Sequence, residues 1–497
     1  MVQYKWVALS NTTLGTLMAS LDANIVLIAL PTIGRELPGT SLLGLLWILI
    51  GYQLVTATIL VNFGRLADMF GRVRLYTLGF AVFTAGSALC SLSQTGDQLI
   101  GFRMVQAIGA AFLFSNSAAI LTDAFPAGER GRALGINQVS LVAGSVMGLL
   151  VGGVLTAVAG WRSIFWINIP IGIFATLWAH YELREQHALL QREKIDLIGN
   201  ATFAAGLAAL LLGVTAYALD VLPVAVTLLL IVGGGALLLL FVRIEQIVPH
   251  PMLDLELFRI RAFAAGNAAI LLNALARGAF TLVLVFYLQG PTMHLSPFDA
   301  GVFLVPSSAA LAAFGPLSGA LYDRYSARIL ATLGLLASAA GFLMLTTLGA
   351  TTTFDSLLLP LTLVGAGMGL FAAPNRAAIM NSVPRDRRGV ASGTSITLTN
   401  AGATVSLGLA FLIMTAATPL GTLEAIFAGG HGGASVPVGH FLDSVHIVFF
   451  LAAGLVLAAL VPSLLREGAP RLASPFVHRP ALRRQPTLGV SPCDAEE

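Results

Sequence analysis

The stretch Gly64-Arg-Leu-Ala-Asp-Met-Phe-Gly-Arg-Val-Arg74 is a short charged turn between two long apolar runs. Gly71 permits a tight turn, and arginines suit the anionic cytoplasmic face of a membrane. Asp68 stands at a predicted helix end, where it can bind another helix's N-terminus or an arginine. We therefore expect two membrane helices joined by a loop whose contacts change with conformation. The candidate switch residues are Gly64, Asp68, Gly71, Arg72 and Arg74.

The composition of the whole chain agrees with a membrane location. Of its 497 residues, 57% are hydrophobic and only 10% are charged, and the mean hydropathy is +0.86. A soluble domain carries ~25% charged residues, because its surface must be wetted. The formal net charge of +3 does not indicate nucleic acid as a partner, since the basic residues are spread along the chain.

The apolar runs predict how many times the chain crosses the bilayer. A hydrocarbon core of ~30 Å needs about 20 apolar residues in a helix. Runs of this kind lie at 7–33, 42–66, 74–94, 98–124, 132–158, 162–182, 194–217, 223–245, 263–289, 297–322, 326–348, 356–381, 389–417 and 442–464. Nearly all loop arginines follow even-numbered spans, so the positive-inside rule places both termini in the cytoplasm. We expect an all-α, multi-pass protein of the plasma (inner) membrane with fourteen transmembrane helices.

Two short patterns recur and indicate an internal repeat. Gly64-Arg-Leu-Ala-Asp68 returns as Gly319-Ala-Leu-Tyr-Asp323, and Arg130-Gly131 returns as Arg388-Gly389. The offsets, 319 − 64 = 255 and 389 − 131 = 258, nearly agree. Repeats with one orientation indicate halves related by an axis along the membrane normal, and Asp323 joins the candidate switch residues.

The repeat also predicts the domain organisation. It relates span 2 to span 10 and span 5 to span 13, whereas a six-helix half would shift each span by six. Two helices inserted between two six-helix bundles resolve the difference. The predicted units are an N-terminal bundle at 1–190, inserted helices 7 and 8 at 191–250, a C-terminal bundle at 251–465 and a disordered cytoplasmic tail at 466–497.

Asp22 is the only acid near the middle of any predicted span. A charge there costs at least ~2.5 kcal/mol, so an acid inside the membrane is a functional candidate by default. Desolvation favours the neutral form of a carboxyl group, which makes Asp22 a candidate for loading and releasing a proton. A static salt bridge is the alternative. Arg103 on span 4 is expected to face Asp22 or a polar network, with a purely architectural tie as its alternative.

Span 5 and span 9 carry two further unusual features. The glycines of span 5 form a smooth face for close helix packing: Gly144, Gly148, Gly152 and Gly153. Arg277, in the middle of span 9, needs a counter-charge, a carbonyl cluster or a water-filled cavity. It either binds an anionic substrate group or balances Asp22, and the residues leave both possibilities open.

Several polar residues inside the spans are candidates for lining a substrate cavity. Each is equally compatible with a hydrogen bond between helices. They are Asn24, Tyr52, Gln53, Asn116, Asn137, Gln138 and Asn267.

The motifs of other function classes are missing from the sequence. It contains no nucleophile–base pair, Walker loop, CxxC or HExxH pattern and no loop long enough for a catalytic domain, so an enzyme or ATP-driven pump is not predicted. Cys90 and Cys493 have no metal-ligating neighbours. We expect no cofactor, metal or catalytic residue, and transport of a small molecule is the remaining function.

The 64–74 stretch resembles the signature of the major facilitator superfamily, Gly-x-x-x-Asp-x-x-Gly-Arg between the second and third helices. Met69 stands where the family has a basic residue. Arg103 and Gln106 match the superfamily's Arg-x-x-Gln-Gly pattern, with Ala107 in place of glycine.

The chain more specifically resembles the fourteen-helix drug:proton antiporter family. The matching segments are Leu21-Asp-Ala-Asn-Ile-Val-Leu-Ile-Ala-Leu-Pro31 and Trp161-Arg-Ser-Ile-Phe-Trp-Ile-Asn-Ile-Pro170. The glycine face resembles the antiporter motif, with Leu149 where the family has proline. This resemblance implies a monomeric secondary exporter that exchanges protons for lipophilic drugs and uses Asp22 in proton coupling. A proton-linked importer or exporter of an anionic metabolite is the alternative, supported by Arg277 and Leu149.

Overall fold

The computed structural model shows a chain that is helical almost throughout. It describes residues 3–126, 129–185, 196–248, 251, 253–290, 292–322, 324–384, 387–419, 423 and 438–465. The helices of these residues are α1 (Tyr4–Glu36), α2 (Leu42–Phe70), α3 (Arg72–Ser91), α4 (Gly96–Ala124), α5 (Arg130–Ala159), α6 (Ser163–Trp166), α7 (Asn168–Glu182), α8 (Leu197–Ala218), α9 (Val224–Glu245), α10 (Arg261–Arg277), α11 (Phe280–Gln289), α12 (Pro297–Tyr322), α13 (Ala327–Leu345), α14 (Phe354–Ser382), α15 (Arg388–Ala417) and α16 (Val438–Leu465). A 3-10 helix at Leu255–Arg259 precedes α10, and these ranges contain no strand.

Fourteen segments of the described chain are long and apolar enough to cross a membrane. α6 and α7 together form one of them, Ser163–Glu182, and α10 and α11 form another, Arg261–Gln289. The predicted all-α fold with fourteen spans is thereby confirmed, and the ends agree with the predicted ones to within a few residues. The predicted tail at 466–497 lies outside the described residues.

Two spans expected to be continuous helices are interrupted. One break separates α6 from α7 at Ile167, and the other separates α10 from α11 at Gly278 and Ala279. The second break has a clear cause, because the backbone N–H of Ala279 donates to the Ser406 hydroxyl of α15 at 3.0 Å. Gly278 permits this approach, since a Cβ atom there would lie 2.6 Å from the Ser406 Cβ atom.

Side-chain caps fix the starts of several membrane helices. Ser41 accepts a hydrogen bond from the Gly44 N–H of α2 at 3.0 Å, and Asp196 accepts one from the Gly199 N–H of α8 at 2.7 Å. Such caps satisfy amide groups that have no partner within the helix.

The pattern of helix contacts occurs twice along the chain. α4 packs against α2 and α3, and α14 packs in the same way against α12 and α13. Likewise α1 packs against α5 as α10 packs against α15, and α3 against α7 as α13 against α16. The predicted division into two six-helix bundles stays a prediction, and this repeated packing supports it.

The hairpin of α8 and α9, predicted as the inserted pair, contacts both sets of helices. α8 packs against α2 of the first set and α15 of the second. α9 is the more exposed of the two, with Leu239 72% exposed, as expected for a lipid-facing helix.

α5 of the first set and α12 of the second make a close contact at one end of the molecule. At the end away from the arginine-rich loops, a Cβ atom at Gly301 of α12 would lie 2.7 Å from the Leu149 carbonyl oxygen of α5. At the arginine-rich end, a Cβ atom at Gly135 of α5 or Gly319 of α12 would meet nothing within 4 Å. The close approach of the two helices is therefore not repeated at these two positions.

Candidate functional site

A buried polar network surrounds Asp22 in the first bundle. Asp22 is 0% exposed, and its Oδ2 atom lies 2.6 Å from the Nη1 atom of Arg103, which is 1% exposed. Its Oδ1 atom accepts hydrogen bonds at 2.8 Å from the amides of Gln106 and Asn168. The structure thus brings the two sequence-predicted residues of proton coupling into direct contact.

The network ties five helices together around one carboxylate. Gln106 also accepts from Arg103 at 2.6 Å and donates to the Ser87 hydroxyl of α3 at 2.7 Å. The guanidinium carbon of Arg103 lies 4.0 Å from the ring centre of Tyr52 on α2, a cation–π distance. With Asp22 on α1 and Asn168 on α7, the site links α1, α2, α3, α4 and α7.

The buried charges of Asp22 and Arg103 are tolerated only when the two residues are paired. A buried carboxylate or guanidinium that loses its partner costs several kcal/mol, because a charge then lies uncompensated in a low-dielectric interior. The Asp22 carboxylate is therefore the single charge that holds α1 against Arg103 of α4.

The glycine face of α5 lies directly against the segment of α1 that carries Asp22. Cβ atoms at Gly144 and Gly148 would lie 2.6 Å and 2.5 Å from the carbonyl oxygens of Leu17 and Leu21. A Cβ atom at Gly152 would lie 2.6 Å from the Cγ1 atom of the Ile25 side chain. The expected close-packing surface is therefore an α1–α5 interface.

Gly153 lies beside that interface and faces the other bundle. A Cβ atom there would lie 2.7 Å from the Pro297 carbonyl oxygen at the start of α12. Neighbouring glycines of α5 thus contact α1 and α12. This one helix connects the surroundings of Asp22 with the contact that closes one end of the molecule.

The 64–74 stretch joins three helix ends on the arginine-rich side. Gly71 has φ +106°, a conformation that favours glycine. The backbone N–H groups of Arg72 and Val73 each donate at 3.0 Å to the carboxylate of Glu185, which follows α7. The Arg72 guanidinium bonds Asp123 at the end of α4 at 2.7 Å. Arg72 therefore has a specific partner and is more than a topological charge.

The remaining switch candidates are less informative. Arg74 is exposed. Gly64 and Asp68 lie in α2, but their side chains and the whole of Asp323 lie outside the described residues.

The structure separates the cavity candidates into two groups. Gln138 is exposed, and Asn24, Gln53 and Asn137 are partly exposed. Gln53 accepts from Thr404 of α15 at 3.5 Å, a contact between the bundles. Tyr52, Asn116 and Asn267 are buried at 4%, 0% and 0% exposure. Neighbouring helices cover these three in this conformation, and whether they line a cavity or only join helices stays a prediction.

The second bundle contains an unbalanced pair of cations. Arg277 is the last residue of α10, and Arg376 lies in α14. The side chains of both residues are exposed. Arg277 does not balance Asp22, whose carboxylate is bound to Arg103. Among the described residues neither arginine has an ion-pair partner.

Sequence reasoning missed several functional contacts. Arg376 could have been found by the rule that singled out Arg277, a cation inside an apolar span. Ser87 and Glu185 carried no such signal, since one is an ordinary polar residue and the other lies just beyond a helix end.

A helical protein with fourteen membrane-length spans, two similarly packed helix sets and a buried charge pair belongs to the class of membrane transport proteins. The sequence model of the family described as Major Facilitator Superfamily matches residues 12–407 of this chain. The chain is a member of that superfamily, which is a class of transporters.

Relatives with assigned names cover most of the chain. The riboflavin transporter RibZ of Clostridioides difficile (strain 630) is 32% identical over 82% of this chain and 88% of its own length. Multidrug resistance protein Stp of Mycobacterium tuberculosis (strain CDC 1551 / Oshkosh) is 33% identical over 82% of this chain and 75% of its own. The tetracenomycin C resistance and export protein of Streptomyces glaucescens is 28% identical over 84% and 77%.

Solved structures show the same fold at low sequence identity. A bacterial homolog of the human lysosomal transporter Spinster, in an inward-facing and unoccupied conformation, has a TM-score of 0.66 at 16% identity. It covers 94% of this chain and 97% of its own. The POT family transporter PepTSo has a TM-score of 0.62 at 15% identity, covering 92% of this chain and 97% of its own.

Proposed function

We propose that this chain is a proton-coupled secondary transporter of the fourteen-helix drug:proton antiporter type, which exports lipophilic drugs or related small molecules. The observation that carries the proposal is the sealed Asp22–Arg103 pair, with two amides completing the carboxylate's hydrogen bonds. An acid buried in a membrane helix and held by one cation is suited to proton exchange. Relatives named for multidrug resistance and for resistance and export support export as the direction of transport.

The coupling step proceeds through α1 and α5. Proton binding cancels the charge of Asp22, so Arg103 is then held by Gln106 and the rings of Tyr52 and Phe165. α1 is then less firmly attached to α4, and any movement of α1 is transmitted to α5 through the close glycine contacts. Because Gly153 of α5 touches α12, this movement reaches the contact that closes one end of the molecule.

The orientation follows from the arginine-rich loops. Placed in the cytoplasm by the positive-inside rule, they put the close α5–α12 contact at Gly301 on the opposite side of the membrane. On this proposal the conformation is inward-open in the plasma (inner) membrane, with both termini cytoplasmic. In this conformation the exporter, acting as a monomer, collects its cargo.

The test is Asp22→Asn in everted membrane vesicles, with drug-induced release of a preformed proton gradient as the readout. Asparagine keeps the side-chain size but cannot exchange a proton, so we expect proton release to be abolished. Asp22→Glu keeps a titratable group and is expected to retain part of the release. Asp220→Asn is the matched control, since Asp220 is exposed and its φ of 49° suits asparagine.

Two results would decide against this proposal. Undiminished proton release by Asp22→Asn would exclude Asp22 as the coupling site. Cells that overproduce the protein should also become less susceptible to toxic compounds. An unchanged resistance profile would instead favour the alternative, a proton-linked transporter of an anionic metabolite, for which the unpaired arginines of the second bundle are the supporting observation.

A further inference from the structure

Two arginines of the second bundle lie within membrane-spanning segments and lack acidic partners. Arg277 is the seventeenth residue of the 29-residue span Arg261–Gln289, and Arg376 lies in the span Phe354–Ser382. Both side chains are exposed, and neither has a hydrogen bond or ion pair within the described part of the chain. A guanidinium at this depth in a lipid-facing position would be costly, so such residues face a bundle interior or a water-filled cavity.

The two arginines belong to helix faces that lie near each other. Gly266 accepts a hydrogen bond from Asn375 at 3.2 Å, so that face of α10 points to α14. Gly266 and Arg277 are eleven residues apart, about three turns, and therefore share one helix face. Arg376 is the next residue after Asn375, and its charge acts on the Arg277 guanidinium.

Eleven residues span about 16 Å of helix axis, and the directions of the two helices shorten this separation at the side chains. Side chains lean towards the N-terminus of their own helix. α10 begins at the arginine-rich end, where α14 terminates, and Arg376 lies nearer to that end than Arg277. Arg277 therefore leans towards the arginine-rich end and Arg376 away from it, which reduces their separation along the bundle.

The described helices of the second bundle supply no carboxylate at this depth. The sequences of α10, α11, α13 and α15 contain neither Asp nor Glu. The acids of α12, α14 and α16 are Asp299, Asp355 and Asp443, which lie in the first two turns of their helices. The end of α10 favours a cation beside its last carbonyl groups, but this partial negative charge does not neutralise two guanidinium groups.

We propose that Arg277 and Arg376 form the binding site for an anionic group of the transported molecule, a carboxylate or a phosphate. This inference rests on the proposed function and narrows its cargo to amphipathic organic anions. Guanidinium groups bind such oxyanions in a planar, two-bonded geometry that an ammonium group cannot provide. The exposure of both side chains gives the anion access, and the negative charge of the anion offsets the repulsion between the two arginines.

The first experiment measures the positive potential without any assumption about the cargo. A cysteine is introduced at Ala372, an exposed position one turn before Arg376, together with Cys493→Ser. Cys90 is buried and is left in place. In purified protein, the labelling rates with anionic sulfonatoethyl and cationic trimethylammonioethyl methanethiosulfonate are compared. We expect Arg277→Gln and Arg376→Gln each to lower the anion-to-cation rate ratio about tenfold.

Two further variants make this result specific. Arg277→Lys retains the charge and should retain most of the rate ratio. Arg243→Gln removes an exposed arginine from α9 and should leave the ratio unchanged. If Arg277→Gln had no more effect than Arg243→Gln, the proposal would be overturned.

The second experiment tests recognition of an anion by protection of the same cysteine. Naphthoate and naphthyl phosphate are compared with naphthamide, a neutral molecule of similar size, as inhibitors of labelling by a small uncharged maleimide. We expect at least one anion to slow labelling severalfold more than naphthamide does, and Arg277→Gln to remove the difference. Arg277→Lys should weaken it, because the two-bonded geometry is lost. Equal protection by all three probes, or protection by none, would contradict the proposal.

The two proposals can fail separately. Neither labelling experiment uses a proton gradient, so their outcome does not depend on Asp22. Loss of the anion preference with intact, Asp22-dependent proton release would retain the exporter and reject only the anionic cargo. An anion preference without Asp22-dependent proton release would reject proton coupling at Asp22 and retain the arginine site.

Discussion

The two bundles treat their deep charges in opposite ways. In the first, Asp22 and Arg103 neutralise each other, are 0% and 1% exposed, and have further polar partners in Gln106 and Asn168. In the second, Arg277 and Arg376 are exposed and repel each other. The sealed pair suits a ligand as small as a proton. The open pair suits a larger ligand that brings its own negative charge.

This comparison predicts opposite effects on stability when a deep arginine is removed. Arg103→Gln leaves the Asp22 carboxylate without its cation, and we expect the free energy of unfolding to fall by roughly 3–5 kcal/mol. Asp22→Asn should act similarly, and the double variant should be less destabilised than the sum of the two. The readout is the temperature at which the buried thiol of Cys90 reacts with a fluorescent maleimide, in a Cys493→Ser background. Additive effects would show that the pair does not act as a unit.

Removal of an arginine from the second bundle should not destabilise the protein. Arg277→Gln or Arg376→Gln eliminates a repulsion and leaves no carboxylate unpaired, so we expect the free energy of unfolding to stay equal or rise by about 1 kcal/mol. The same Cys90 assay, without added ligand, measures it. A destabilisation comparable to that of Arg103→Gln would mean that Arg277 has a structural partner, and the contrast between the bundles would be lost.

The sequence revealed those features of the two bundles that depend on the bilayer. Apolar runs of membrane length predicted the fourteen spans, and the cost of charges in lipid drew attention to Asp22 and Arg277, whereas Arg103 was identified by its match to the superfamily pattern. The rule for charges in lipid also applies to Arg376. What could not be predicted depends on packing between distant segments. Nothing near Gly278 in the sequence shows that Ser406 will bind the next amide and interrupt the helix.

Uncharged polar residues illustrate the same limit. Asn267 was a candidate either for lining a cavity or for a hydrogen bond between helices, and it is buried and accepts from Ser395 of α15 at 2.7 Å. Asn168, which the sequence offers only as part of the segment 161–170, donates a hydrogen bond to Asp22. Polarity and helix position identify such residues, whereas only the arrangement of neighbouring helices decides whether they face a cavity, a ligand or each other.

Tight packing around Asp22 provides a third way to test the contrast. Gly148→Ala places a Cβ atom 2.5 Å from the Leu21 carbonyl oxygen, which forces α5 away from α1 and should cost about 1–3 kcal/mol. Gly454→Ala of α16 is the matched control, because a Cβ atom there meets nothing within 4 Å. We expect drug-induced proton release to fall only in Gly148→Ala. Equal activity of the two variants would argue against transmission of movement from α1 to α5.

The smallest predicted effect concerns the opening that exposes the arginines of the second bundle but leaves Asp22 covered. Gly301→Ala places a Cβ atom 2.7 Å from the Leu149 carbonyl oxygen and disfavours the contact at the closed end, whereas Gly319→Ala has free space in this conformation. Because a shift of about 1 kcal/mol changes a population ratio roughly fivefold, labelling of Ala372→Cys by an uncharged maleimide should slow about twofold to fivefold in Gly301→Ala. It should not slow in Gly319→Ala. If both variants were labelled at the unmodified rate, the α5–α12 contact would not control access to Arg277 and Arg376, and the two bundles would differ only in their charges.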